Sequence, residues 1–176
     1  MILNKAIFLD RDGVLNFDTG YVSCADNFIL MPGVVEGLTI LQSLDFKLVV
    51  VTNQSGIARG MFSELDFMAL TNHMTELFRR KGITLDGVYF CPHHPDITGI
   101  CECRKPNPGL ELEAAEALNL DLGCSYMIGD KQSDVTAGIS AGVKISALIS
   151  PDNINPYENR FKSLFDFAVW LKKRSH

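Results

Sequence analysis

At 176 residues, with 47% hydrophobic and 21% charged residues, the chain has the makeup of one soluble globular domain large enough to bury a sizeable core. A net charge of −5 argues against a general nucleic-acid binder, which needs a broad basic face, and no apolar stretch approaches the length of a membrane span. The five cysteines are odd in number and three fall within residues 91–103, which suits metal ligation better than a disulfide framework.

The chain opens on Met1-Ile2-Leu3-Asn4-Lys5 with no cleavage-site pattern, so a cytoplasmic location is expected. Ala6-Ile7-Phe8-Leu9 then reads as a short buried strand, and Asp10-Arg11-Asp12-Gly13-Val14 follows it directly. In extended backbone residues i and i+2 point the same way, so Asp10 and Asp12 face one ligand. D-x-D-G also opens a calcium loop, but later positions of such a loop need oxygen ligands and a terminal Glu. Val14, Leu15 and Tyr21 stand there instead, and the calcium reading fails. Against a pair of merely solvated aspartates, the arrangement favours phosphoryl transfer: one carboxylate as nucleophile, the other as general acid/base, with a cation between them.

A polar loop over residues 10–31 precedes a helix that begins near Pro32-Gly33, with Val34, Leu38 and Leu41 on its inner face. Phe46 to Val51 is a second strand, ending in Thr52-Asn53-Gln54-Ser55-Gly56. Ser63 caps a long helix whose stripe is Phe67, Leu70, Met74, Leu77 and Phe78, closed by Gly82. Val88 to Cys91 is a third strand. Pro108 opens a helix continued by Leu110 to Leu118, and Tyr126-Met127-Ile128 is a fourth strand ending at Gly129-Asp130. A short helix over Val135 to Ala141 stops at Gly142, Lys144 to Ile149 is a fifth strand, and Phe161, Leu164, Ala168 and Leu171 mark a final helix. The stretch Ser150 to Asn159 carries the weakest signal. Strands alternating with helices imply an α/β fold in three Rossmann-like layers around a central parallel sheet, as one domain over residues 1–176. The segments between Asp12, Thr52 and Lys105 leave no room for a large cap domain.

Between the third strand and the Pro108 helix lie Cys91-Pro92-His93-His94 and Cys101-Glu102-Cys103. Three thiolates and one imidazole make a closed tetrahedral set, so Cys91, His93, Cys101 and Cys103 are expected to hold a structural Zn²⁺ that braces the loop over residues 91–103. Cys24 and Cys124 read as free thiols, with Cys124 in the core. In a parallel sheet Asp10/Asp12, Thr52/Asn53 and Asp130 all fall at one edge, beside Arg104-Lys105-Pro106. Singly, Thr52 could be any strand-end hydroxyl, Lys105 a solvated lysine and Asp134 a helix-start charge; together they converge.

These residues resemble the haloacid dehalogenase superfamily of phosphatases: D-x-D (Asp10, Asp12), the strand-end Thr52, Lys105 before a helix, and G-D-x-x-x-D (Gly129, Asp130, Asp134). The resemblance implies that Asp10 attacks phosphorus and Asp12 serves as acid and then base. It also implies Mg²⁺ on Asp10, the Asp12 carbonyl and Asp130, with Asp134 orienting a metal-bound water or Lys105. Thr52, Asn53 and Lys105 would hold the transferring phosphoryl group. Thr52 to Gly60 and the run Cys103-Arg104-Lys105-Pro106-Asn107-Pro108-Gly109 are most similar to the heptose-1,7-bisphosphate 7-phosphatase family. There the expected substrate site is Asp18, Thr19, Gly20, Tyr21, Asn53, Gln54, Ser55, Arg104 and Lys131. The charge and hydropathy pattern predicts no nucleic-acid or membrane partner, and a monomer is the default expectation because no exposed apolar seam stands out in the sequence. The short spacer between the two halves of the cysteine motif keeps histidinol-phosphate phosphatases as an alternative. A zinc-braced binding module on an inactive fold is a second alternative.

Overall fold

In the computed structural model, which describes residues 3–152 and 159–175, the apolar runs line up as a six-stranded sheet in the order β3-β2-β1-β4-β5-β6, every pair parallel. The strands are β1 (Lys5–Leu9), β2 (Phe46–Asn53), β3 (Gly87–Cys91), β4 (Tyr126–Gly129), β5 (Ile145–Ile149) and β6 (Arg160–Phe161). Their near-continuous hydrophobicity is what a sheet covered on both faces requires. Ile7, Leu9, Leu48, Val50 and Ile128 pack on one side, while Ala6, Phe8, Val49, Val51 and Met127 pack on the other.

Helices α1 (Val34–Ser43), α2 (Glu64–Arg79) and α6 (Leu164–Arg174) deliver Leu38, Leu41, Leu70, Met74, Phe78 and Phe167 to the first face. On the second face lie α4 (Gly109–Leu118), through Leu110 and Ala114, and α5 (Gln132–Ala141). The latter sits close because Gly138 has no Cβ; one would run into Met127 and Ser146. The cap of α2 is as the sequence predicts: the Ser63 Oγ accepts from the Asp66 N–H at 3.1 Å, and the Asp66 carboxylate accepts from the Ser63 N–H at 2.8 Å.

Four expectations are corrected. Phe161 is not in the final helix but in β6, paired with Ile149; α6 starts at Leu164, where Ser163 accepts from the Asp166 N–H at 3.1 Å. Phe161 still meets Phe167 and Trp170 edge-on, which is why its spacing mimicked the helix stripe. Helix α5 begins three residues earlier than its apolar pattern, because its first turn is the polar Gln132-Ser133-Asp134. The cysteine loop contains a one-turn helix, α3 (Pro95–Thr98). Cys124 is exposed rather than core; the neighbouring Ser125 turns inward, with its Oγ accepting from the Ala6 N–H at 2.9 Å. Residues 153–158 of the weakly patterned stretch lie outside the described residues. Among the described residues no helix is long and apolar enough to cross a membrane.

Candidate active site and metal centres

Chain order runs outward from β1 in both directions, so the switch point of the sheet falls between β1 and β4. Ligands bind at the carboxyl ends of strands there. The register puts Leu9 beside Ile128 and Val50, so Asp10 leaves β1 next to Asp130 leaving β4 and Thr52 near the end of β2. Gly13 turns the chain with φ +86°, and a Cβ on it would strike the Asp130 carboxylate.

Lys105 reaches this point from the loop before α4. Its ammonium is buried, 2.8 Å from Asp10 Oδ1, 2.7 Å from Asp134 Oδ1, and it donates to the Val51 carbonyl at 2.8 Å. Burial alone would drive Lys105 toward the neutral amine, but the carboxylates of Asp10 and Asp134 outweigh it and hold the ammonium. Asp10 is pushed up by burial, with Lys105 opposing and Asp134 adding to the rise. Asp130 rises to about 6, through burial first and then the charge of Asp10.

Asp10, Asp130 and Asp134 each bring a carboxylate oxygen within 4.8 Å of the others, and Asp130 Oδ1 is buried without a hydrogen-bond partner. Crowded hard-oxygen donors, two of them pushed toward their protonated forms, fit a divalent cation that would restore both to carboxylates.

Asp12 lines the same cavity, of about 520 Å³, and its carboxylate is heavily engaged. Asn16 donates to Oδ1 at 2.9 Å and Gln54 to Oδ2 at 3.0 Å, while Arg11 reaches both oxygens at 3.1 and 3.0 Å. Gln54 also donates to Thr52 Oγ1 at 2.9 Å. Asn53 bonds reciprocally with the backbone of Lys105: its Oδ1 accepts from the Lys105 N–H and its Nδ2 donates to the Lys105 carbonyl, both at 3.1 Å. Asp18, Gly20, Tyr21, Ser55, Arg104 and Lys131 also line the cavity. Thr19 is exposed and does not; Asp18 holds Lys131 at 3.3 Å across the mouth.

The sequence motifs do not mark Arg11, Asn16 or Glu111, all of which are buried. The available signal for Arg11 is its parity: beside two pocket-facing aspartates it must point the other way, into the protein, where a guanidinium needs partners.

The cysteine motif also closes. Sγ atoms of Cys91, Cys101 and Cys103 lie 3.1–3.6 Å apart, and His93 Nδ1 is 3.3 Å from Cys103 and 3.7 Å from Cys91. A tetrahedral ion with metal–sulfur bonds of about 2.3 Å has edges of about 3.8 Å, close to these separations and far from a disulfide. His94 lies outside the cluster; it caps α3, and its Nε2 lies 2.8 Å from the Arg59 guanidinium.

A carboxylate pair after β1, a buried lysine and a third carboxylate after β4, gathered at a parallel switch point, define a phosphohydrolase of the haloacid dehalogenase type. A family model for HAD-hydrolase-like proteins matches residues 102–150. The D-glycero-beta-D-manno-heptose-1,7-bisphosphate 7-phosphatase of Yersinia pestis is 50% identical over 149 residues, covering 82% of this chain and 79% of that one. Its Escherichia coli (strain K12) counterpart is 43% identical over 180 positions, covering 96% and 94%. The structure of D,D-heptose 1,7-bisphosphate phosphatase from B. bronchiseptica, complexed with magnesium and phosphate, superposes with a TM-score of 0.85 at 31% identity, covering 97% and 99%. The chain belongs to this heptose-bisphosphate phosphatase family.

Proposed function

We propose that the protein is a Mg²⁺-dependent phosphatase that removes the 7-phosphate of D-glycero-β-D-manno-heptose 1,7-bisphosphate through an aspartyl-phosphate on Asp10. The observation that carries the reading is the placement of Asp10 at the switch point, gripped by Lys105 and within metal-ligating range of Asp130. The names of the relatives at 43–50% identity support the heptose substrate and its β anomer over histidinol phosphate.

In this reading an Asp10 oxygen forms a bond to phosphorus while the bond to the sugar oxygen breaks, and Asp12 protonates that leaving oxygen. Asp12 then takes a proton from water as the water oxygen bonds phosphorus and the Asp10–phosphorus bond breaks. Thr52, the Asn53 backbone and Lys105 hold the phosphoryl oxygens where negative charge is greatest. Asp10, Asp130 and the Asp12 carbonyl would hold Mg²⁺, which offsets the repulsion between a carboxylate and a phosphate, with Asp134 beside them. Arg104 and Lys131 supply cations for the retained phosphate, alongside Asp18 to Tyr21 and Asn53 to Ser55. Cys91, His93, Cys101 and Cys103 hold a structural Zn²⁺.

The test is phosphate release with Mg²⁺ from both anomers of the bisphosphate and from histidinol phosphate. A preference for the β anomer of about a hundredfold, roughly 2.7 kcal/mol in transition-state binding, is expected. Asp10→Asn should abolish turnover with the fold retained. A preference for histidinol phosphate would replace the substrate assignment, and turnover of none of them by folded, metal-loaded protein would favour a binding module.

A further inference from the structure

Arg11 is the largest fully buried side chain of the described residues, at 1% exposure, and it lies between two aspartates that face the cavity. Its Nε donates to Asp12 Oδ1 at 3.2 Å, and its Nη2 lies 3.1 and 3.0 Å from the two Asp12 oxygens. The same Nη2 is 2.8 Å from the Val22 carbonyl, at the end of the Asp18–Tyr21 segment, and 3.4 Å from Gln54 Oε1. The guanidinium carbon stands 5.7 Å from the Phe67 ring centre. A guanidinium does not lose its proton in a protein, and a buried one is tolerated only when its charge is matched. Its one ion-pair partner among the described residues is Asp12.

Having protonated the leaving oxygen, Asp12 enters the hydrolysis step as a carboxylate, and both its oxygens are then placed to accept from the guanidinium. Asn16 and Gln54 add a further donor to each oxygen and remove the remaining rotational freedom.

We propose that Arg11 is a positioning residue that holds the Asp12 carboxylate oriented as the base for hydrolysis of the aspartyl-phosphate. The step it serves is the second one: a water O–H bond breaks and its proton goes to Asp12, the water oxygen bonds phosphorus, and the bond from phosphorus to Asp10 breaks to release inorganic phosphate. The proposal rests on the acid/base reading of Asp12 given above.

The test follows phosphate release from the heptose bisphosphate with Mg²⁺ while acid-quenched samples are weighed by intact mass for the phosphorylated enzyme. In Arg11→Lys, which keeps a charge but loses the planar fork, phosphate release is expected to fall about tenfold or more while the phosphorylated fraction rises above that of the unmodified enzyme. Arg11→Gln, tested in parallel, serves if the lysine variant does not fold. On an Asp12→Asn background, adding Arg11→Lys should cost less than about twofold further, because a residue that acts through Asp12 has nothing left to orient. A drop in rate with an unchanged or smaller phosphorylated fraction would overturn the proposal, and so would full additivity with Asp12→Asn. If Asp12→Asn alone left turnover intact, the acid/base reading itself would fail, and the proposal with it.

Discussion

An ammonium in the position of Lys105 survives only because of its neighbours. With the side chain essentially inaccessible, it depends on Asp10 and Asp134 at 2.8 and 2.7 Å, and they depend on it. Replacing it by Met would leave the two carboxylates buried without their shared cation. Removal of one member of a buried ion pair costs about 3–5 kcal/mol. Lys105→Met is therefore expected to lower metal-free stability by that amount in denaturant melts, and to abolish turnover. Nearby Glu111 has the opposite character: it is fully buried on the first turn of α4 and neither of its carboxyl oxygens has a hydrogen-bond partner. Burial lifts it from 4.5 to about 7, with Lys105 opposing and Asp134 and Asp10 adding to the rise. Between those two pH values the folded chain keeps a proton that the unfolded chain has released, so stability falls as pH rises through this window. The full penalty, on the order of 3 kcal/mol, is present above it. Glu111→Leu removes the penalty. The variant should gain on the parent from about pH 5 to about pH 8, by on the order of 1–3 kcal/mol at the upper end. A difference between the two proteins that stays flat with pH would refute this origin.

At the scale of elements, the cysteine loop is tied to both catalytic loops. The Gln54 N–H donates to the Cys91 carbonyl at 2.8 Å and the Ala58 N–H to the Pro92 carbonyl at 3.2 Å, while Arg104 donates to the His93 carbonyl at 3.2 Å. Lys105 itself is fastened to Asn53 through two backbone bonds. If a zinc ion closes the cluster as proposed, Cys101→Ser should lose it, measurable as missing metal in elemental analysis. The cost should appear in catalysis before global stability, since the strands that dominate the core lie elsewhere. A fall in kcat/KM of about tenfold or more, with only a few degrees lost in Tm, is expected. Equal retention of zinc and activity would remove the cluster from the catalytic argument. These ties explain why the loop was legible as a ligand set but not as a brace: C-x-H and C-x-C spacing is visible in the chain, whereas the bonds to Gln54 and Ala58 exist only once β2 and β3 lie side by side.

For the molecule as a whole, the sheet and the edge that carries the site were legible for one physical reason. Strands buried on both faces must be apolar throughout, and chemistry-bearing residues then stand out where the apolar runs end, as at Asp10, Thr52 and Asp130. What stayed hidden lacked such contrast: β6 is two residues long, α5 begins on polar residues, and Arg11, Asn16 and Glu111 are polar groups in the interior. Charge shows the same division between average and local character. The chain carries −5 overall, yet Arg104, Lys105 and Lys131 converge on one cavity, and the last of these is held at its mouth by Asp18. A dianionic phosphate remote from the scissile bond would exchange with that carboxylate for Lys131 and meet Arg104 alongside. Hydrogen bonds to charged groups contribute about 1.5–3 kcal/mol each, so Arg104→Ala should raise KM for the bisphosphate by roughly tenfold to a hundredfold. A monophosphate ester of the same sugar, lacking the remote group, should show little change in KM, so the parent's preference between the two substrates should collapse. Because Arg104 is only half-buried and its cavity opens to solvent, a contact of this kind is screened by salt, and the KM of the parent for the bisphosphate should also rise with ionic strength more steeply than that of the variant. Equal losses on both substrates would instead place Arg104 among the groups that hold the reacting phosphate, and Lys131→Ala would then be the substitution that reports on the remote one.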